Sequence, residues 1–276
     1  MGLHALLPHL MENLQEHLSV IAADHPVLDV GEVYEETEEC FEATACCALL
    51  LSMDRVSFQR HLFWSALARR YFLQRSKDQG SAGDFRCARS RSNAIFCAVA
   101  AGDVALAVEI GDLSPSQWNP EGEYEEDFAY HLFLYRFLKG ADPQSRDEAL
   151  RHFVKALGGT PSPRFDVCQA LQNGAAEGFE AAFQDLIDSH AAEIDALQPY
   201  SPDVPTSEPR SRVFVEGLAL LRIVADADIQ LTERDYPLCP KSGRVKPLRN
   251  RPDDIFAEMA SIPRSRSTSR RGPPHT

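Results

Sequence analysis

Apolar residues recur along the chain at helical spacing. Leu3, Leu6, Leu7, Leu10, Leu14, Leu18 and Ile21 fall on one i, i+3/i+4 stripe with Glu12 and Glu16 opposite, which predicts a first amphipathic helix. Pro8 lies in its first turns and lacks the amide that a helix interior uses, so the regular helix is expected to begin after it. A second helix is predicted over residues 29–53, acidic at its start, where the helix dipole is positive, and almost wholly apolar at its end. After a break at Asp54, residues 57–79 give a third, with Phe58, Leu62, Phe63, Leu67, Tyr71 and Phe72 on its apolar side.

A Gly-Ser-Ala-Gly loop at residues 80–83 leads to two shorter helices, 87–101 and 104–111, joined at Gly102-Asp103. Residues 113–122 are irregular, and 123–139 restore a strong helical signal that Gly140 ends. Helices over 145–157, 165–171 and 175–197 complete a main helical domain, residues 1–197. A proline-rich linker or loop is expected at 198–210. Residues 211–262 then form a C-terminal part packed on the body: a strong helix at 211–228, an irregular segment with Pro237, Pro240, Pro247 and Pro252, and a short helix at 253–259. Residues 263–276, rich in Arg, Ser, Pro and Gly, read as a disordered basic tail. Sustained strand-type alternation is lacking, so the fold class is all-α, with about ten helices. Residues 89–112 and 129–157 form helix pairs whose small and aromatic residues suit repeat-like antiparallel packing, though not the tetratricopeptide pattern.

Composition narrows the class. The 276 residues are 44% hydrophobic and 25% charged, which excludes disorder throughout and gives one large domain or two small ones. No apolar run approaches the roughly 18 residues of a membrane span, and the N-terminus lacks the features of a signal peptide, so a cytoplasmic protein is expected. The seven cysteines have no metal-type spacing and sit mostly in apolar helical runs, as core thiols do.

The net charge of −13 is unevenly spread. Residues 1–50 contain no Lys or Arg but ten acids, whereas Arg55 to Arg91 is basic and the tail adds Arg264, Arg266, Arg270 and Arg271. So acidic a body repels phosphate backbones, which argues against nucleic-acid binding. It serves solubility, and it also attracts a cationic partner.

The motifs of common chemistries are missing. No His pair has HExxH spacing, no glycine loop has phosphate-binding context and no nucleophile elbow occurs. The expectation is therefore a non-enzyme without cofactor or metal. Two acidic clusters remain. One is Glu35, Glu36, Glu38 and Glu39 with Glu42; the other is Glu121, Glu123, Glu125, Glu126 and Asp127. Each reads as a solvated helix start or as a docking surface for a basic protein, with Trp118, Tyr124 or Tyr130 as aromatic anchors.

Three features carry a resemblance. Residues 88–112 run Arg-Ser-Arg-Ser-Asn into an apolar helix, then Ala-Gly-Asp, then a second apolar helix. A Tyr- and Phe-rich helix follows, ending in Leu-Lys-Gly at residue 140, and an aromatic-basic helix precedes at 58–77. Over residues 58–157 the chain resembles the immunity protein 49 family of bacterial polymorphic-toxin and type VI secretion effector–immunity systems. The resemblance implies an all-α cytoplasmic protein, encoded beside a toxin, that protects the producing cell by binding it. The toxin is expected to be a nuclease with a basic active-site surface. A helical-repeat adaptor that docks peptides is the alternative.

Overall fold

The computed structural model describes residues 2–197, 204–232, 234–244, 246 and 250–261. Residues 198–203 of the expected linker and the whole of the expected tail, 263–276, lie outside these. Among the described residues there are twelve α-helices and no β-strand. They are α1 (Leu3–Ala22), α2 (Glu32–Ser52), α3 (Arg55–Asp78), α4 (Ala94–Ala101), α5 (Val104–Leu113) and α6 (Glu125–Leu138), followed by α7 (Pro143–Leu157), α8 (Pro163–Asn173), α9 (Ala176–Leu197), α10 (Ser207–Ser211), α11 (Val215–Asp226) and α12 (Ile255–Ser261). None of these is long and apolar enough to cross a membrane.

Side-chain caps fix several helix starts. Asp54 accepts the amides of Val56 and Ser57 at the head of α3, and Asp103 accepts that of Leu106 in α5. Asp142 and Ser162 cap α7 and α8, and each of those helices opens on a proline, whose missing amide costs nothing there. Gly102, at φ 90°, closes α4 in the left-handed region and lets α5 start two residues later, at Val104.

The first three helices pack in succession, and α3 is the central element, touching α2, α4, α5 and α12. Its Phe58, Leu62, Phe63, Ala66 and Leu67 are buried, as are all eight residues of α4. Helix α11 covers α4, α10 lies on α2, and α6 packs on α7 while α8 packs on α9. The seven cysteines are buried, and none is in a disulfide.

Three local expectations need correction. Helix α1 begins at Leu3 and runs through Pro8; the residue whose carbonyl loses its helical partner to that proline, His4, lies at an exposed position, where such a loss is least costly. The expected helix 87–101 begins only at Ala94, since residues 88–93 spend their polar groups on distant partners described below. The stretch read as a proline-rich connection contains α10, with Thr206 and Pro209 buried.

Candidate functional site

Four glutamates of α2 repeat at i, i+3, i+4 and i+7. Glu35, Glu38, Glu39 and Glu42 therefore share one face of the helix. That face forms one wall of a cavity of about 630 Å³. The facing wall is the loop before α6 and that helix's first turn, with Glu121, Glu123, Tyr124 and Asp127. Ser65 of α3 and residues 90–93 line the cavity between the walls, and Arg210 of α10 contributes from α10. The two acidic clusters, some 80 residues apart in the chain, thus meet in one cleft. Seven carboxylates line it against two guanidiniums, Arg91 and Arg210.

Residues 88–93 hold the cleft together. The Arg89 guanidinium is buried and donates to the carbonyls of Gly111 and Pro115 at 3.1 Å, tying the segment to the end of α5. Ser90 donates its amide and its hydroxyl to Glu123 Oε2 at 2.7 and 2.8 Å. Ser92 donates its hydroxyl to Glu38 Oε2 and accepts the Ala94 amide at 3.0 Å, so it anchors a glutamate and starts α4 at once. A helix through these residues would break all of these bonds.

The opposite loop is positioned as tightly. Gly122 lies so close to residues 85–88 that a Cβ would sit 2.4 Å from the Phe85 carbonyl oxygen. The Trp118 indole donates to the Glu123 carbonyl at 3.0 Å, and the Asn119 side chain accepts the Glu121 amide.

The cleft's carboxylates differ in how they are neutralised. Glu42 is buried, pairs with Arg210 at 3.2 Å and accepts from Asn93. Arg210 reaches Glu39 as well, at 3.3 Å, and Glu42 foremost holds its guanidinium charged. Glu35 takes Arg86 and Arg91 at 3.3 and 3.2 Å. Asp127, raised by burial, meets Arg164 at 3.0 Å; Arg164 also binds the buried Glu216, which accepts the Tyr130 hydroxyl. Glu38 is only 5% exposed, and burial pushes its carboxyl up to about 7 against the opposing pull of Arg69 and the Ser92 bond. Its Oε1, like Glu123 Oε1, is buried without a hydrogen-bond partner among the described residues.

Of the residues nominated from sequence, Glu35, Glu38, Glu39, Glu121, Glu123, Tyr124 and Asp127 line the cleft. The others do not. Glu36 turns toward α1 and meets His17 at 3.1 Å, Glu125 meets His152 at 2.9 Å, and Glu126 is exposed outside the cavity. Trp118 serves the loop rather than the lining, whereas Tyr124, 74% exposed, stands at the mouth. Ser90, Ser92, Asn93 and Arg210 escaped the sequence reading; the one available signal was the polar run at 89–93 in front of an apolar helix.

Chemically, a lining with this excess of carboxylates favours positive charge over negative. Among the described residues no group of three His, Cys, Asp or Glu side chains is arranged to hold a metal ion. Burial also raises the thiols of Cys46, Cys97 and Cys168 well above their ordinary range, which leaves them unreactive.

The family model described as immunity protein 49 matches residues 36–242, about three quarters of the chain. The chain belongs to the immunity protein 49 family. The match extends on both sides of residues 58–157, on which the resemblance rested, and takes in part of α2 and all of α10 and α11. Every residue lining the cleft except Glu35 falls inside it. An immunity role thus comes with the family. No curated protein and no solved structure matches the chain.

Proposed function

We propose that this immunity protein binds one cognate toxin, a nuclease, and neutralises it in the cytoplasm of the producing cell by one-to-one protein–protein inhibition. The observation that carries the reading is the convergence of two distant acidic clusters on one negatively charged cleft in a member of an immunity family. A nuclease must present basic groups to hold phosphates. An acidic receptor is complementary to that surface, competes with the nucleic acid for it and speeds the encounter by electrostatic steering. The protein then works as a stoichiometric inhibitor, with no turnover of its own.

The test is protection followed by reconstitution. Cells expressing the toxin encoded beside this gene are expected to survive only when this protein is co-produced. The purified pair is expected to elute as a one-to-one complex in which nuclease activity is lost. Survival without a complex, or a complex that leaves the nuclease fully active, would contradict the proposal.

A further inference from the structure

Two carboxylates in the cleft are each engaged through one oxygen. Glu38 Oε2 accepts the Ser92 hydroxyl, and Glu123 Oε2 accepts the amide and hydroxyl of Ser90. The second oxygen of each, Oε1, is buried and has no hydrogen-bond partner among the described residues, and both side chains line the same cavity. The two serines that hold them stand two residues apart, so one short segment fixes both carboxylates. A buried acceptor left unpaired is unfavourable, which makes a pair of them in one cavity a sign of something that completes them. Water would satisfy these oxygens without neutralising them; a cation does both.

The kind of cation follows from the surroundings. Hard metal ions need a cage of oxygen ligands, and no metal-holding group exists among the described residues. A guanidinium is planar, carries five donors and is weakly hydrated, so it can bridge two carboxylates in a partly desolvated site where an ammonium acts as a point charge. The exposed ring of Tyr124 at the mouth offers it a stacking face on the way in. We infer that Glu38 and Glu123 together receive the guanidinium of an arginine side chain inserted by the toxin. This rests on the cleft being the toxin-binding surface.

A proton is linked to the event. Glu38 carries a carboxyl raised to about 7; it feels Arg69 from α3, the Ser92 hydroxyl from the segment before α4, and Glu35 and Glu39 on its own helix. An arriving cation lowers that carboxyl, so binding releases a proton and tightens as pH rises through 7.

Calorimetry on the full chain provides the test, with agmatine as guanidinium probe and cadaverine, an equally charged diamine, as its control. Agmatine is expected to saturate at one site, at least tenfold tighter than cadaverine, and about tenfold tighter at pH 8 than at pH 6. Glu38→Gln and Glu123→Gln keep an amide oxygen for the serines, so each is expected to melt as a folded protein yet bind agmatine at least tenfold more weakly. Absence of saturation, equal affinity for cadaverine, or a folded Glu38→Gln variant that binds like the parent would overturn the assignment. With the neighbouring gene's toxin, Glu38→Gln is expected to speed dissociation at least tenfold. Undiminished neutralisation by that variant overturns the arginine contact alone, whereas agmatine binding with no toxin complex overturns the immunity reading and the source of the arginine.

Discussion

Glu38 brings the cost of a buried charge into the middle of α2. Because burial raises its folded carboxyl from 4.5 to about 7, the folded chain holds that proton longer than the unfolded chain does. Its effect is nil below pH 4.5, grows as pH climbs toward 7 and is then fully present as a loss of stability. Urea denaturation is expected to find Glu38→Gln equal to the parent near pH 4 and more stable at pH 8, by up to about 3 kcal/mol. A difference that does not change with pH would contradict this. Gly122 makes a separate prediction. A Cβ there collides with the Phe85 backbone, so Gly122→Ala must push the 119–124 loop away and carry Glu123 and Tyr124 out of register. The variant is expected to keep its helical circular dichroism while its toxin affinity falls at least tenfold, about 1.4 kcal/mol. At this scale the sequence was half legible. The spacing of Glu35, Glu38, Glu39 and Glu42 marks one helix face. Nothing in it shows that Glu36, one residue round, meets His17, or that Glu125 meets His152.

The elements explain the segregated charge. The acid-only first fifty residues fold against the basic stretch that follows: Arg75 takes Asp24 and Asp29 at 2.6 Å, and Arg86 and Arg91 take Glu35. Much of what reads as excess acidity is therefore answered within the chain. Apolar periodicity placed most of the helices because it reports which face is buried, and aspartate, serine, proline and glycine marked several ends. It failed at residues 88–93. There Arg89, Ser90 and Ser92 bond to the 111–115 carbonyls, Glu123 and Glu38, partners that local pattern cannot contain. Behind the cleft, Arg164 bridges Asp127 and the buried Glu216. Removing it in Arg164→Met leaves Glu216 uncompensated and is expected to destabilise the fold by about 3 kcal/mol in chemical denaturation. A loss below 1 kcal/mol would mean that the bridge is dispensable.

At the scale of the whole molecule, the distinguishing feature is one concave place lined by seven carboxylates, three of which, Glu38, Glu121 and Glu123, form no ion pair among the described residues. Fields of that kind act at a distance within the Debye length, about 8 Å at physiological salt. They raise the association rate for a cationic partner and fade as salt is added. Both acidic clusters were visible along the chain, yet their meeting depends on how α6 sits relative to α2, which no single segment encodes. The most direct measurement is the association rate of the neighbouring gene's toxin across a salt series, for the parent, for Glu39→Lys with Glu121→Lys in the cleft, and for Glu126→Lys outside it. The parent and Glu126→Lys are expected to associate fast and to slow steeply with salt, while the cleft variant associates at least tenfold more slowly with a flattened salt dependence. Equal rates and equal protection by all three proteins would contradict the claim that the cleft is where the toxin is met.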